Sequence, residues 1–90
     1  MDKELILTVL KQDLEISGTS RDEMLNNIID LAKAAITREG ITLEDTNDDG
    51  MLIENYAAFL YRKRREEAYA MPRYLRYLLN NRLFSEKGSE

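Results

Sequence analysis

Ninety residues, 43% apolar and 33% charged, suit one small folded domain. A chain of this size buries only about 60–65% of its unfolded surface, so its core is modest and leaves room for partners to add stability. With no Cys there is no disulfide, thiolate metal site or Cys nucleophile, and with no His the commonest general base and metal ligand are missing, which argues against an enzyme.

The N-terminus lacks the basic start and apolar run of a signal peptide, and no stretch approaches the roughly 18 apolar residues of a membrane span. A cytoplasmic protein is expected. Net charge is −4 but unevenly placed: residues 1–50 carry 5 basic and 12 acidic side chains, residues 51–90 carry 8 and 5. That polarity could steer a salt-sensitive, head-to-tail contact between copies, or simply reflect two solvated faces.

In chain order, a first helix is expected from Lys3 to about Leu14, capped by Asp2, with Ile6, Val9 and Leu10 at helical spacing. Ser17-Gly-Thr-Ser20 breaks it. Ser20-Arg-Asp-Glu23 reads as a capping box opening a second helix, with Leu25, Ile28, Ile29, Ala32, Ala35 and Ile36 as its stripe and Gly40 as a left-handed end. Ile41 and Leu43 anchor a polar connection. A third and longest helix is expected from an Asp48 or Asp49 cap to Ala68 or Tyr69, burying Ile53, Tyr56, Ala57 and Leu60 while Phe59 and Tyr61 point elsewhere. Pro72 opens a short fourth helix whose apolar side is Leu75, Leu78, Leu79 and Leu83. The fold class is therefore all-α: a small bundle of about four helices, two short, one long and one short, forming a single domain over 1–84. Ser85 to Glu90 is expected to be a flexible tail.

Three motifs invite function. Asp45-Thr-Asn-Asp-Asp-Gly50 copies the first half of a calcium loop, yet the position that should supply the bidentate Glu is Tyr56, so a turn with a helix cap is the better reading and no metal or cofactor is expected. Arg62, Lys63, Arg64 and Arg65 suggest nucleic acid, but consecutive helical residues point about 100° apart and so encircle the helix. Glu66 and Glu67 stand four residues after Arg62 and Lys63, placed to neutralise them. Arg73, Arg76, Tyr77 and Asn80 make a more coherent face, either of the Arg/Tyr kind that buries against partners or one whose tyrosines pack on neighbouring helices while its arginines stay solvated. All seven aromatics fall in the last 35 residues, more than one small bundle buries easily, so some are expected to meet another chain.

The order of these elements, with Gly40-Ile41, Tyr56-Ala-Ala-Phe-Leu-Tyr61 and Met71-Pro-Arg73, resembles the small head–tail connector (adaptor) proteins of tailed bacteriophages, over about Leu5 to Phe84. The resemblance implies a structural virion protein, also labelled DNA packaging: a homo-oligomeric ring under the portal protein that extends the DNA channel and seats the next connector or the tail. It implies assembly in the host bacterial cytoplasm, a final place in the virion neck, no membrane, and DNA passing without sequence specificity. Arg62, Lys63, Arg64, Arg65, Arg73, Arg76, Tyr77 and Arg82 are then the candidates to face a partner or the channel. The alternative is a small helical DNA-binding or regulatory protein, against which the acidic pI near 4.9 argues.

Overall fold

A computed structural model describes residues 1–88 as four helices: α1 (Lys3–Asp13), α2 (Asp22–Arg38), α3 (Asn47–Arg65) and α4 (Arg73–Gly88). There is no strand among the described residues. The lengths depart from expectation, because α2 has 17 residues and α4 has 16, both close to the 19 of α3. Only α1, with 11, is short.

Local chemistry explains most boundaries. Asp2 accepts a hydrogen bond from the Leu5 N–H at 2.8 Å and so caps α1. The capping box at α2 does not form: Arg21, in a non-helical conformation, precedes the helix, and no side chain caps it. The chain turns instead through the Asp22 N–H to Thr19 carbonyl bond at 3.1 Å, and Lys11 reaches across to Asp22 at 2.8 Å. At α3 the cap is Thr46, whose hydroxyl accepts from the Asp49 N–H at 3.1 Å. Asp48 and Asp49 are therefore inside the first turn, where their charge favours the positive end of the helix. Helix α3 stops at Arg65, short of Ala68, because Glu66 turns extended. Pro72 sits just before α4, its carbonyl accepting from the Leu75 and Arg76 N–H groups. Helix α4 continues through Gly88, four residues past Phe84, with Glu86 held by Arg82 one turn earlier at 2.8 Å. Residues 89–90 of the expected tail lie outside the described residues.

The core sits where α3 is packed by its neighbours. Ile6 and Leu10 of α1, Leu25, Ile28, Ile29, Ala32 and Ile36 of α2, and Leu75 and Leu79 of α4 close on it, with Ile41 sealing one end. Because α3 meets all three other helices, its buried residues wrap most of its circumference. This corrects the aromatic assignment. Phe59 and Tyr61 are buried, whereas Tyr56 is only half-buried. Phe59 packs edge-on to Tyr56 at 5.8 Å between ring centroids, and Tyr69 from the following connection lies 6.1 Å away.

Helix α4 packs chiefly against α3, and the molecule is flat, 43 × 30 × 18 Å. Gly40 ends α2 with φ of +101°, a conformation that disfavours any side chain. Gly40→Ala is expected to cost about 1–2 kcal/mol in urea denaturation with the slope unchanged. An unchanged midpoint would show that the turn relaxes.

Candidate functional site

The basic residues were the sequence's candidates, and the fold distributes them very unequally. Arg76 forks onto Glu39 at 2.8 and 3.4 Å, tying α4 to the end of α2. Arg82 is more deeply engaged: its Nε meets Asp49 Oδ1 at 2.8 Å, and its Nη2 meets the Thr42 carbonyl at 2.7 Å. Arg62 turns to Asp13 at 3.5 Å. Each of these arginines comes from the basic half of the sequence and each carboxylate from the acidic half. Part of the charge polarity that suggested a contact between copies is thus closed within one chain.

Neutralisation of the block by Glu66 and Glu67 is not what the fold uses. An i,i+4 pair needs both residues on one helix, and α3 ends at Arg65. Lys63 instead lies over the Phe59 ring, 5.7 Å from its centroid, and Arg65 lies at the same distance from the Tyr61 ring. Arg65 also donates to the Tyr61 hydroxyl at 3.1 Å, and Arg21, a residue no motif singled out, donates to it at 2.9 Å. Arg64 shares that depression. The block does encircle its helix, but its last two members rejoin a third arginine that is distant in sequence.

Arg73 and Tyr77 face solvent on α4. Around them runs an outward stripe of large apolar side chains: Tyr74, Tyr77, Leu78 and Phe84 are 51, 67, 38 and 79% exposed. Leu78 was expected inside; the inward side belongs to Leu75 and Leu79, four residues apart, and leaves Leu78 beside the exposed Met51 over a groove of about 360 Å³. A second groove of about 440 Å³ lies between α2 and α3, floored by Ile28, Ala35, Tyr56 and Leu60, with Leu31 60% exposed at its edge and Arg38, Lys63 and Arg64 around it.

No family model matches this chain, and no curated protein or solved structure matches it. Function is therefore argued from the residues themselves.

The calcium-like motif is dispersed by the fold. Asp45 accepts from the Met1 ammonium at 2.7 Å. Asp49 is buried, with Oδ2 taking the Glu44 N–H at 2.8 Å and Oδ1 taking Arg82. Burial works to raise the Asp49 pKa, but the hydrogen bonds from Arg82 and Glu44 and the Arg82 charge outweigh it and hold the carboxyl below its ordinary value. Among the described residues no three carboxylates converge on a point where a metal would sit.

One carboxyl is anomalous. Glu54, on α3, is 3% exposed, and its Oε2 has no hydrogen-bond partner. Desolvation pushes its pKa up to about 8, helped by the hydrogen bond to Asp13 and the charge of Asp13, and opposed by Arg62. At neutral pH it holds a proton. The proton lets Glu54 donate to Asp13 and removes a charge that the core could not solvate. The pair joins α3 to α1, so its protonation bears on how those two helices pack.

Proposed function

We propose that this chain is a structural assembly subunit, a head–tail connector of a tailed phage that forms a ring beneath the portal. In that role it would extend the DNA channel and seat the next connector or the tail, and its place would be the virion neck. The observation that carries the reading is the apolar stripe of α4. Four large side chains stand exposed along one helix of a 90-residue domain. Soluble domains rarely leave such a patch contiguous unless another surface covers it. The chain is all-helical, and the Met71-Pro72-Arg73 reset leads into the stripe.

Contact through this stripe would rest on aromatic and aliphatic burial more than on charge, because Arg62, Arg76 and Arg82 are already paired within the chain. A ring repeats a heterologous contact, so the stripe of one copy must meet a different surface of the next or of the portal. The groove between α2 and α3 is apolar, and its basic rim would suit a tyrosine hydroxyl at its edge.

The test is electron microscopy and light scattering of the full chain mixed with the portal protein encoded by the same genome. The wild-type chain is expected to decorate the portal as a ring. The Tyr77→Glu/Phe84→Ser double variant is expected to stay helical by circular dichroism and to lose the ring. A wild-type chain that stays monomeric and never binds the portal would refute the proposal. So would a double variant that assembles as well as wild type.

A further inference from the structure

Two guanidinium groups meet at a single neutral oxygen. Arg21 Nη1 donates to the Tyr61 hydroxyl at 2.9 Å and Arg65 Nη1 donates to it at 3.1 Å. Arg21 precedes α2 and Arg65 ends α3, so the packing of those helices brings the two cations together. Tyr61 is 8% exposed and anchored in the core, which makes its hydroxyl a fixed post. Arg64 lines the same depression of about 340 Å³, beside Met24.

This cluster differs from every other strongly engaged arginine of the fold. Arg62, Arg76 and Arg82 each meet a carboxylate, whereas among the described residues no carboxylate lies within ion-pair distance of Arg21, Arg64 or Arg65. Asp22, next to Arg21 in the sequence, is turned away to Lys11 at 2.8 Å, and Glu66, next to Arg65, forms no ion pair among the described residues. Two like charges sharing one oxygen repel by roughly 1 kcal/mol or more, depending on how much water screens them. The tyrosine oxygen takes one N–H from each guanidinium, which leaves most of their five donors free.

Two further features add donors. Helix α2 begins here with no side-chain cap, which leaves backbone N–H donors at its start, although Asp22 and Glu23 in the first turn offset its dipole. The adjoining depression, shared by Arg21, Tyr61 and Arg65, is lined by Ser17 and Ser20; Glu15 also lines it and is the one acidic side chain on that wall. A carboxylate brings one negative charge and suits one arginine fork. Three arginines with serine hydroxyls beside them suit a group with more oxygens and more charge.

We propose that the depression bounded by Arg21, Tyr61, Arg64 and Arg65 is a phosphate-binding site, for the phosphodiester backbone of nucleic acid or for a free phosphate compound. The site is complete in one chain, so it stands or falls independently of ring assembly.

The experiment is a titration of the full-length, ¹⁵N-labelled chain at low ionic strength, with inorganic phosphate, with a short DNA duplex, and with chloride at matched ionic strength. Saturable shifts are expected at the Arg21, Arg64 and Arg65 side-chain N–H signals and at the amides that open α2. Arg21→Gln/Arg65→Gln is expected to weaken phosphate binding by about tenfold or more, the scale of losing two charge-assisted hydrogen bonds. Tyr61→Phe, which frees the two guanidiniums to separate, should weaken it less. Lys33→Gln, which removes the same charge elsewhere, should leave it within about twofold. If the arginine double variant does not fold, Arg64→Gln, fully on the surface, carries the comparison. Duplex binding that is much tighter than phosphate and falls steeply with salt identifies the backbone as the source. Duplex binding no tighter than phosphate identifies a small phosphate compound. Shifts that chloride reproduces, or a Lys33→Gln loss equal to that of the arginine variant, overturn the proposal.

Discussion

Replacing Arg82 with Ala is expected to be the most damaging single change on the surface of this protein, at about 3 kcal/mol or more of unfolding free energy. The residue looks replaceable in the sequence, one arginine among several near the C-terminus. In the fold it holds together three segments: Asp49 at the start of α3, the Thr42 carbonyl of the connection, and Glu86 on α4. Asp49 is 2% exposed, so losing the guanidinium would strand a carboxylate without its counter-charge. For a domain of this size the loss corresponds to a fall in melting temperature of about 12–20 °C. The double variant Asp49→Asn/Arg82→Met should recover much of it, since neither partner is then left charged and buried. In wild type the Asp49 contribution is present above the unfolded-state pKa of about 3.9 and is lost as pH falls through its lowered folded value. An Arg82→Ala variant that melts within a few degrees of wild type would mean that water replaces the arginine. Arg82 would then regain its candidacy as a free, partner-facing cation.

That reassignment shows where the sequence was legible. The four helices follow from periodicity and punctuation: Ile6 and Leu10, the Leu25-to-Ile36 stripe, the left-handed Gly40 and the Pro72 reset each act locally, over a turn or two. Boundaries that depended on competition were harder to read. Thr46 and Asp49 both have capping side chains, and the three-residue spacing between them lets Thr46 cap while Asp49 turns to Glu44 and Arg82. The Ser20–Glu23 box lost to a tie that no spacing rule reveals, from Lys11 to Asp22 and the Gly18 carbonyl.

The candidate site was less legible than the fold, because its arginines are sorted by contacts between distant residues. Arg62, Arg76 and Arg82 look like Arg64, Arg65 and Arg73 in the sequence, yet the first three find Asp13, Glu39 and Asp49 at separations of 33 residues or more. Arg21 carried no signal, since only the end of α3 packing beside the start of α2 makes it a neighbour of Arg65. The excess of aromatics was a sounder clue than their spacing. Phe59 and Tyr61 went inside because α3 is covered on several sides, and exposure moved to Tyr74, Tyr77 and Phe84 on the less embraced helix.

Glu54 should give the fold an unusual pH dependence, and Glu54→Gln should abolish it. Burial is the main reason its pKa stands at about 8, with Asp13 beside it adding to the rise. The groups facing it are Asp13 from α1, Arg62 from its own helix and, from the start of α4, Tyr74, whose phenol is itself raised first by burial and then by Asp13. An unfolded Glu loses its proton near pH 4.3, while the folded chain keeps it to about 8. Between those values the folded state binds the extra proton, so stability must fall as pH rises through the window and level off above it. Carried across the whole window, the fall should be on the order of 5 kcal/mol. The chain has no His, so no imidazole titration overlies this signal. A Gln amide can donate to Asp13 as the protonated acid does and carries no proton to lose. Glu54→Gln should therefore match wild type near pH 5 and exceed it by about 4 kcal/mol at pH 9, read from urea midpoints. A wild-type midpoint that stays flat from pH 5 to pH 9 would show Glu54 to be ionised and hydrated in the fold, with the α1–α3 contact looser than its packing indicates.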